Sequence, residues 1–173
     1  MRRHPVDLDE LHAGRYHDRL VDLAGRLFDD AKDDPVDWCT VIVVSGRACD
    51  TVASYALHCF LEADGQRSKP RLGNGQARKV REVLRSKKTV NLKPKSQRAS
   101  WAALSDDRIT RWPDWIRYVR CVDRRNSVLR EGLLPSRRRP ARADAVEALE
   151  VTRSLCAHLG RVLSNEPLLR DRV

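Results

Sequence analysis

The stretch Asp34-Pro-Val-Asp-Trp-Cys-Thr-Val-Ile-Val-Val-Ser-Gly-Arg-Ala-Cys-Asp-Thr-Val-Ala-Ser-Tyr-Ala-Leu-His-Cys-Phe-Leu-Glu62 decides the fold class. Asp34 can cap a helix, Pro35 suits the first helical position, and Asp37 favours the positive end of the helix dipole. The run from Trp38 to Glu62 is apolar nearly all round, the pattern of a central helix covered by neighbours. The β-branched run from Cys39 to Val44 argues for a buried strand instead. Length and the cap favour the helix. Asp64-Gly65 supplies its stop.

The helical pattern extends in both directions. Upstream, Asp7-Leu-Asp-Glu10 has the spacing of a capping box, with Val6 and Leu11 as the hydrophobic staple. Leu20, Leu23, Leu27 and Phe28 then share one face, so a first helix is expected over about residues 8–31. Downstream, residues 66–74 read as a loop, and Ala77, Val80, Val83 and Leu84 mark a short basic helix. Residues 86–100 contain Pro94 and little periodicity, and read as an exposed basic loop tied back to the core at Trp101–Leu104. From Thr110 a helix resumes, with Trp112, Trp115, Val119, Val122, Asn126 and Leu129 as its stripe and Gly132 as its end. Pro140 can open a last helix, whose stripe is Val146, Leu149, Thr152, Leu155 or Cys156, Leu159 and Val162. The expected fold is all-α. It is one domain over residues 1–173, a helical bundle of four long helices plus one or two short ones, with the basic loop 86–100 within it.

Charge narrows the partners. The 173 residues are 34% charged with a formal net of +10, most of it from arginine. Arginine's planar fork matches phosphate. Residues 1–37 hold six basic and ten acidic side chains, a net of −4, whereas residues 67–98 hold twelve basic side chains against Glu82 alone, a net of +11. A second basic knot lies at Arg137, Arg138, Arg139 and Arg142. Those two basic stretches are the expected nucleic-acid contacts, through Arg78, Arg81, Lys87, Lys88, Lys93 and Lys95 in the first and Arg137, Arg138 and Arg139 in the second. No apolar run is long enough to cross a bilayer, so no membrane is expected as a partner. Five cysteines without paired spacing point to a reducing cytoplasm, with no disulfide framework. No cofactor and no metal site is expected. The acids Asp29, Asp30, Asp33 and Asp34 have ordinary work to do at a helix end and the next cap.

Two polar groupings interrupt helices that otherwise read as core. Arg47, Asp50, Ser54 and His58 fall along one stripe of the central helix, where Arg47 and Asp50 can pair. This stripe is either a polar edge satisfied by neighbouring loops or part of a site. The second grouping lies in Arg120–Glu131. Asn126 falls between Val122 and Leu129, where a buried amide must find partners or incur a penalty of about 1–3 kcal/mol. Arg125 and Arg130, about 140° apart around the helix, can flank a phosphate. A solvated basic face is the alternative.

The runs Asp37–Asp50 and Cys121–Gly132, with an alanine-rich last helix after them, resemble the HEPN superfamily over roughly residues 35–160. The resemblance implies a small helical bundle of prokaryotic defence or toxin–antitoxin type. Its active members are metal-independent endoribonucleases that usually dimerise. Their signature is an arginine, a polar residue that is often asparagine, a few positions, then histidine. Arg125 and Asn126 match its first half, and Arg130 stands where the histidine would be. In active members the arginine and histidine face the scissile phosphate across the dimer interface. Arginine does not deprotonate near neutral pH and cannot replace a general base. It can still bind phosphate or neutralise developing charge.

Three explanations of this departure compete: a degenerate member that binds without cleaving, a different base with His58 as the candidate, or a substituted histidine at Arg130. The resemblance therefore implies RNA as partner, a homodimer, and a protein antitoxin or defence partner. The rival classes are a non-enzymatic nucleic-acid-binding or regulatory protein and a protein-interaction bundle.

Overall fold

The structure, a computed structural model, describes residues 15–86 and 90–172. It is an all-α bundle with no strand among the described residues. The helices are α1 (Arg15–Asp29), α2 (Pro35–Gly65), α3 (Asn74–Ser86), α4 (Lys95–Ser105), α5 (Trp115–Glu131) and α6 (Arg142–Ser164), with short 3₁₀ segments at Ile109–Arg111 and Pro167–Arg172. Four are long and two are short. The capping box at Asp7–Glu10, its staple residues, and Lys87 and Lys88 lie outside the described residues.

α2 is the axis of the bundle. Asp34 caps it by accepting from the Val36 amide at 2.8 Å, and the Asp37 carboxylate accepts from Lys32 N at 2.9 Å. Its buried residues lie all round, and α1, α5 and α6 pack against it. The β-branched run is helical because its side chains are needed on several faces at once, which a strand in this setting does not offer. At the other end the buried Asp64 carboxylate accepts from the Arg71 and Leu72 amides at 2.7 and 3.1 Å, which folds the next loop back onto the helix.

Two buried hydroxyls then hold the segment after α3. Ser54 Oγ donates to Asp50 O at 2.8 Å and accepts from Val90 N at 2.7 Å, while Tyr118 Oη accepts from Leu92 N at 2.9 Å. Val90 and Leu92 are buried.

This corrects the expected loop over 86–100. Among the described residues of that stretch only 90–94 lie outside a helix; Pro94, with its fixed φ, sits at the N-cap, and Lys95 begins a helix. Trp101 and Leu104 are buried, and Trp101 meets Phe60 edge-on with centroids 5.4 Å apart. The tie expected at that point is present.

The α5 stripe also needs correction. Leu129 is 62% exposed and Asn126 half-buried, whereas Tyr118, Cys121, Val122, Arg125 and Val128 are buried. The inward face is rotated from the expected one because Arg125, seven residues after Tyr118, points into the bundle. In α1 the buried centre is Ala24, and Leu23 is 38% exposed. The small side chain lets α1 lie close to Trp38, Val41 and Ala145.

Candidate functional site

The two arginine-rich stretches are placed in opposite ways. In α5, Arg125 is only 8% exposed. Its Nη1 donates to the Asp50 carboxylate and, at 3.0 Å, to Gly46 O. Its Nε and Nη2 donate to Asn126 Oδ1 at 3.3 and 3.0 Å. Gly46 makes this possible through close approach. A Cβ at that position would stand 2.5 Å from Arg125 Cδ. Asp50 and Arg125 are thus one buried, hydrogen-bonded pair joining α2 to α5, with Asn126 holding the outer edge of the guanidinium.

Arg130 does not join them. It is exposed, and its Nε donates back to Asn126 O at 3.1 Å. The two arginines that could have flanked one phosphate point inward and outward.

Along α2 the expected stripe separates into parts. Asp50 and Ser54 are buried in the contacts above, and Arg47 is half-buried, its carbonyl accepting from Thr51 Oγ1 at 2.9 Å. His58 lies eight residues beyond Asp50, about 12 Å along the helix axis. Although α2 and α5 do pack together, His58 is placed beside α3, next to Arg81, Leu84 and Arg85. Its Nε2 is 3.0 Å from Glu62 Oε1, and with Arg81 and Arg85 it lines a cleft of about 240 Å³ between α2 and α3.

The +11 stretch is divided between internal and external work. Arg67 donates to the buried Glu166 at 2.6 Å, and Arg71 to Leu104 O at 2.5 Å. Lys93 pairs with Asp123, and Arg98 donates to Lys93 O while lying 5.6 Å over the Trp115 ring. On α3 the charges face out. Arg78 makes one exposed i, i+4 contact with Glu82 at 3.6 Å. Lys79, Arg81 and Arg85 are exposed and form no ion pair with a described residue, and Lys95 is likewise exposed. In the second knot Arg137 and Arg139 are exposed, with Arg137 in the left-handed region at φ 57°. Arg138 instead clasps Asp144 with both Nη atoms at 2.7 Å.

Asp144 organises a network that the sequence pattern does not announce. It also accepts from Ala141 N at 3.0 Å, and Arg124 stands 3.8 Å away. Burial pushes its pKa up, but the Arg138 fork, the Ala141 amide and Arg124 outweigh burial and hold it below the usual carboxylate value. Asp114 is held low by hydrogen bonds from Ser154 and Arg117. The one available signal was an acid at the third position of α6, the place of a capping-box acid. A second such group is Asp107, which accepts from Trp101 Nε1 at 2.8 Å and lies 3.0 Å from His158 Nε2.

Cys49, Cys121 and Cys156 are not poised for chemistry. Burial pushes Cys121 up to about 11 and Cys156 to about 12, and raises Cys49 further. No group of three or more His, Cys, Asp or Glu side chains among the described residues could hold a metal ion.

Fold and site together define an all-α bundle closed by a buried Arg–Asp pair and carrying an outward-facing cationic helix. No protein-family model matches the chain, and no curated protein and no solved structure matches it. Among the described residues no helix is long and apolar enough to cross a membrane.

Proposed function

We propose that this chain is a HEPN-like, cytoplasmic RNA-binding domain with weak or no ribonuclease activity. The observation that carries the binding half is the set of exposed cations on and beside α3, Arg81, Arg85 and Lys95, which are not ion-paired within the described structure. Unpaired surface cations can release counterions from a phosphate backbone. Two observations support the catalytic half. Arg125 is already committed to Asp50 and Gly46, and neither it nor Arg130 can accept a proton. Loss of general acid–base help forfeits about 10²–10⁴ in rate.

Any cleavage would be chelator-resistant: the ribose 2′-oxygen bonds to the adjacent phosphorus as the bond to the next nucleotide's 5′-oxygen breaks, giving a 2′,3′-cyclic phosphate and a 5′-hydroxyl, with water carrying the proton between the two oxygens and Arg130 neutralising developing charge. A nuclease assay on total RNA, with and without chelator, tests this on the parent and on Arg125→Ala, His58→Ala and Arg130→His. A silent parent and gain of cleavage by Arg130→His support the reading. Robust cleavage by the parent that survives Arg125→Ala overturns it.

The homodimer belongs to the same proposal. Val36 is 68% and Leu129 62% exposed, and the 3.7 Å contact of Cys39 Sγ with Gly132 O brings their ends of α2 and α5 together. Two apolar side chains left in solvent at one end of a basic bundle suit a second copy, or an antitoxin-like protein, better than they suit water. Sedimentation at micromolar concentration should give twice 19.8 kDa, and a monomer alone removes the dimer.

A further inference from the structure

α3 and α4 leave a groove between them that nothing in the RNA reading uses. α3 presents Val80, Val83 and Leu84 toward it, and Leu57, Leu72 and Val90 form its floor. α4 answers with Ala99, Ser100 and Ala103, side chains too short to reach across. The result is an apolar cleft of about 190 Å³. An apolar cavity of about 150 Å³ stays dry and takes up benzene, so this larger one has room for an aliphatic tail of several carbons.

The mouth is polar and one-signed. Lys79 stands there, exposed and without an ion-pair partner among the described residues, beside Gln76 and Gln97. Among the described residues no acidic side chain lines the cleft. The first turn of α4 opens onto the same mouth through Ser96 and Gln97. Its N-cap Pro94 offers no side-chain hydrogen bond, so the amides there lack a side-chain acceptor. An apolar floor under a cationic mouth selects a ligand with an apolar tail and an anionic head.

We propose that the α3–α4 cleft binds a medium-chain monocarboxylate, its tail on Leu57, Val83 and Val90 and its carboxylate between Lys79 and the first turn of α4. No RNA contact uses the apolar floor or Lys79; Lys95 of the RNA reading belongs to the same first turn of α4 as the carboxylate seat, and the Lys79 and leucine variants leave it in place. Octanoate is the probe, titrated into the full chain and followed by backbone amide shifts, with octanol as the uncharged control.

The expected result is saturable shifts confined to α3, α4 and the floor residues Leu57, Leu72 and Val90. Lys79→Glu should weaken octanoate about tenfold, the loss of one charge-assisted contact, and leave octanol unchanged. Ala103→Leu and, separately, Ala99→Leu should fill the cleft and abolish both ligands. Ala99 and Ala103 are both exposed, so either variant keeps the fold. Scattered or non-saturating shifts would overturn the proposal. So would equal octanoate affinity in Lys79→Glu, or octanoate binding that survives both leucine variants.

Discussion

Arg125 and Arg81 are the same residue type in two basic helices, and the bundle uses them in opposite ways. Arg125 lies inside, where α2 offers it a carboxylate, a carbonyl and a glycine-sized gap. Arg81 stands on α3, a helix whose sole buried residue is Ala77 and whose cations look outward. Charge density along the sequence is similar at both places, so density does not distinguish a structural arginine from a surface one. What distinguishes them is whether a neighbouring helix supplies acceptors.

The largest effect should come from breaking the inward case. Arg125→Ala leaves Asp50 buried without its cation, and removing one partner of such a pair costs about 3–5 kcal/mol. Urea denaturation should show this loss. Arg125→Lys should not restore it, since one ammonium cannot serve the Asp50 carboxylate, Gly46 O and Asn126 Oδ1 from the fork's positions. Loss of less than about 1 kcal/mol would make Arg125 one more surface cation.

Gly46→Ala probes the same joint from the other side. A methyl group 2.5 Å from Arg125 Cδ must push the guanidinium out of its seat, an overpacking cost of about 1–3 kcal/mol. Neighbouring α2 positions give the control. Because the two substitutions act on one contact, the double variant with Arg125→Ala should lose less than their sum.

A smaller, pH-dependent effect should come from Asp144. Its folded pKa lies below the ordinary value, so its stabilisation is complete above about pH 4 and is lost as pH falls through the folded value. Asp144→Asn should cost about 1–3 kcal/mol at neutral pH and flatten the acid arm of the stability curve. Unchanged acid sensitivity would remove Asp144 from that role.

These joints also show what the sequence made legible. The all-α bundle was readable from the Asp34–Pro35 start and the all-round apolar run of α2, features local to one segment. The inward turn of Arg125 was not, because it depends on Gly46 and Asp50, more than seventy residues earlier, and a lone glycine in an apolar run carries no mark of what packs over it. The same non-locality hid the end of the 86–100 loop. Val90 and Leu92 are fixed by Ser54 and Tyr118, and only the buried side chains on α2 and α5 reveal that tie. The His58 cleft was illegible for a related reason. A helical stripe records which residues share a face, not which neighbour meets each turn of it.

The most direct test of the outward case is RNA affinity across salt concentrations for the parent, an Asn126→Ala variant, and a triple variant carrying Arg81→Gln, Arg85→Gln and Lys95→Gln. All three sites in the triple variant are exposed, so its stability should stay within about 0.5 kcal/mol of the parent. Its log–log salt slope should fall by about two, the share of three phosphate contacts on a single strand. Asn126→Ala should lose stability through the Arg125 seat yet keep the parent's salt slope. An unchanged slope in the triple variant, or a reduced slope in Asn126→Ala, would contradict the division between an inward arginine that holds the bundle together and outward cations that meet the polyanion.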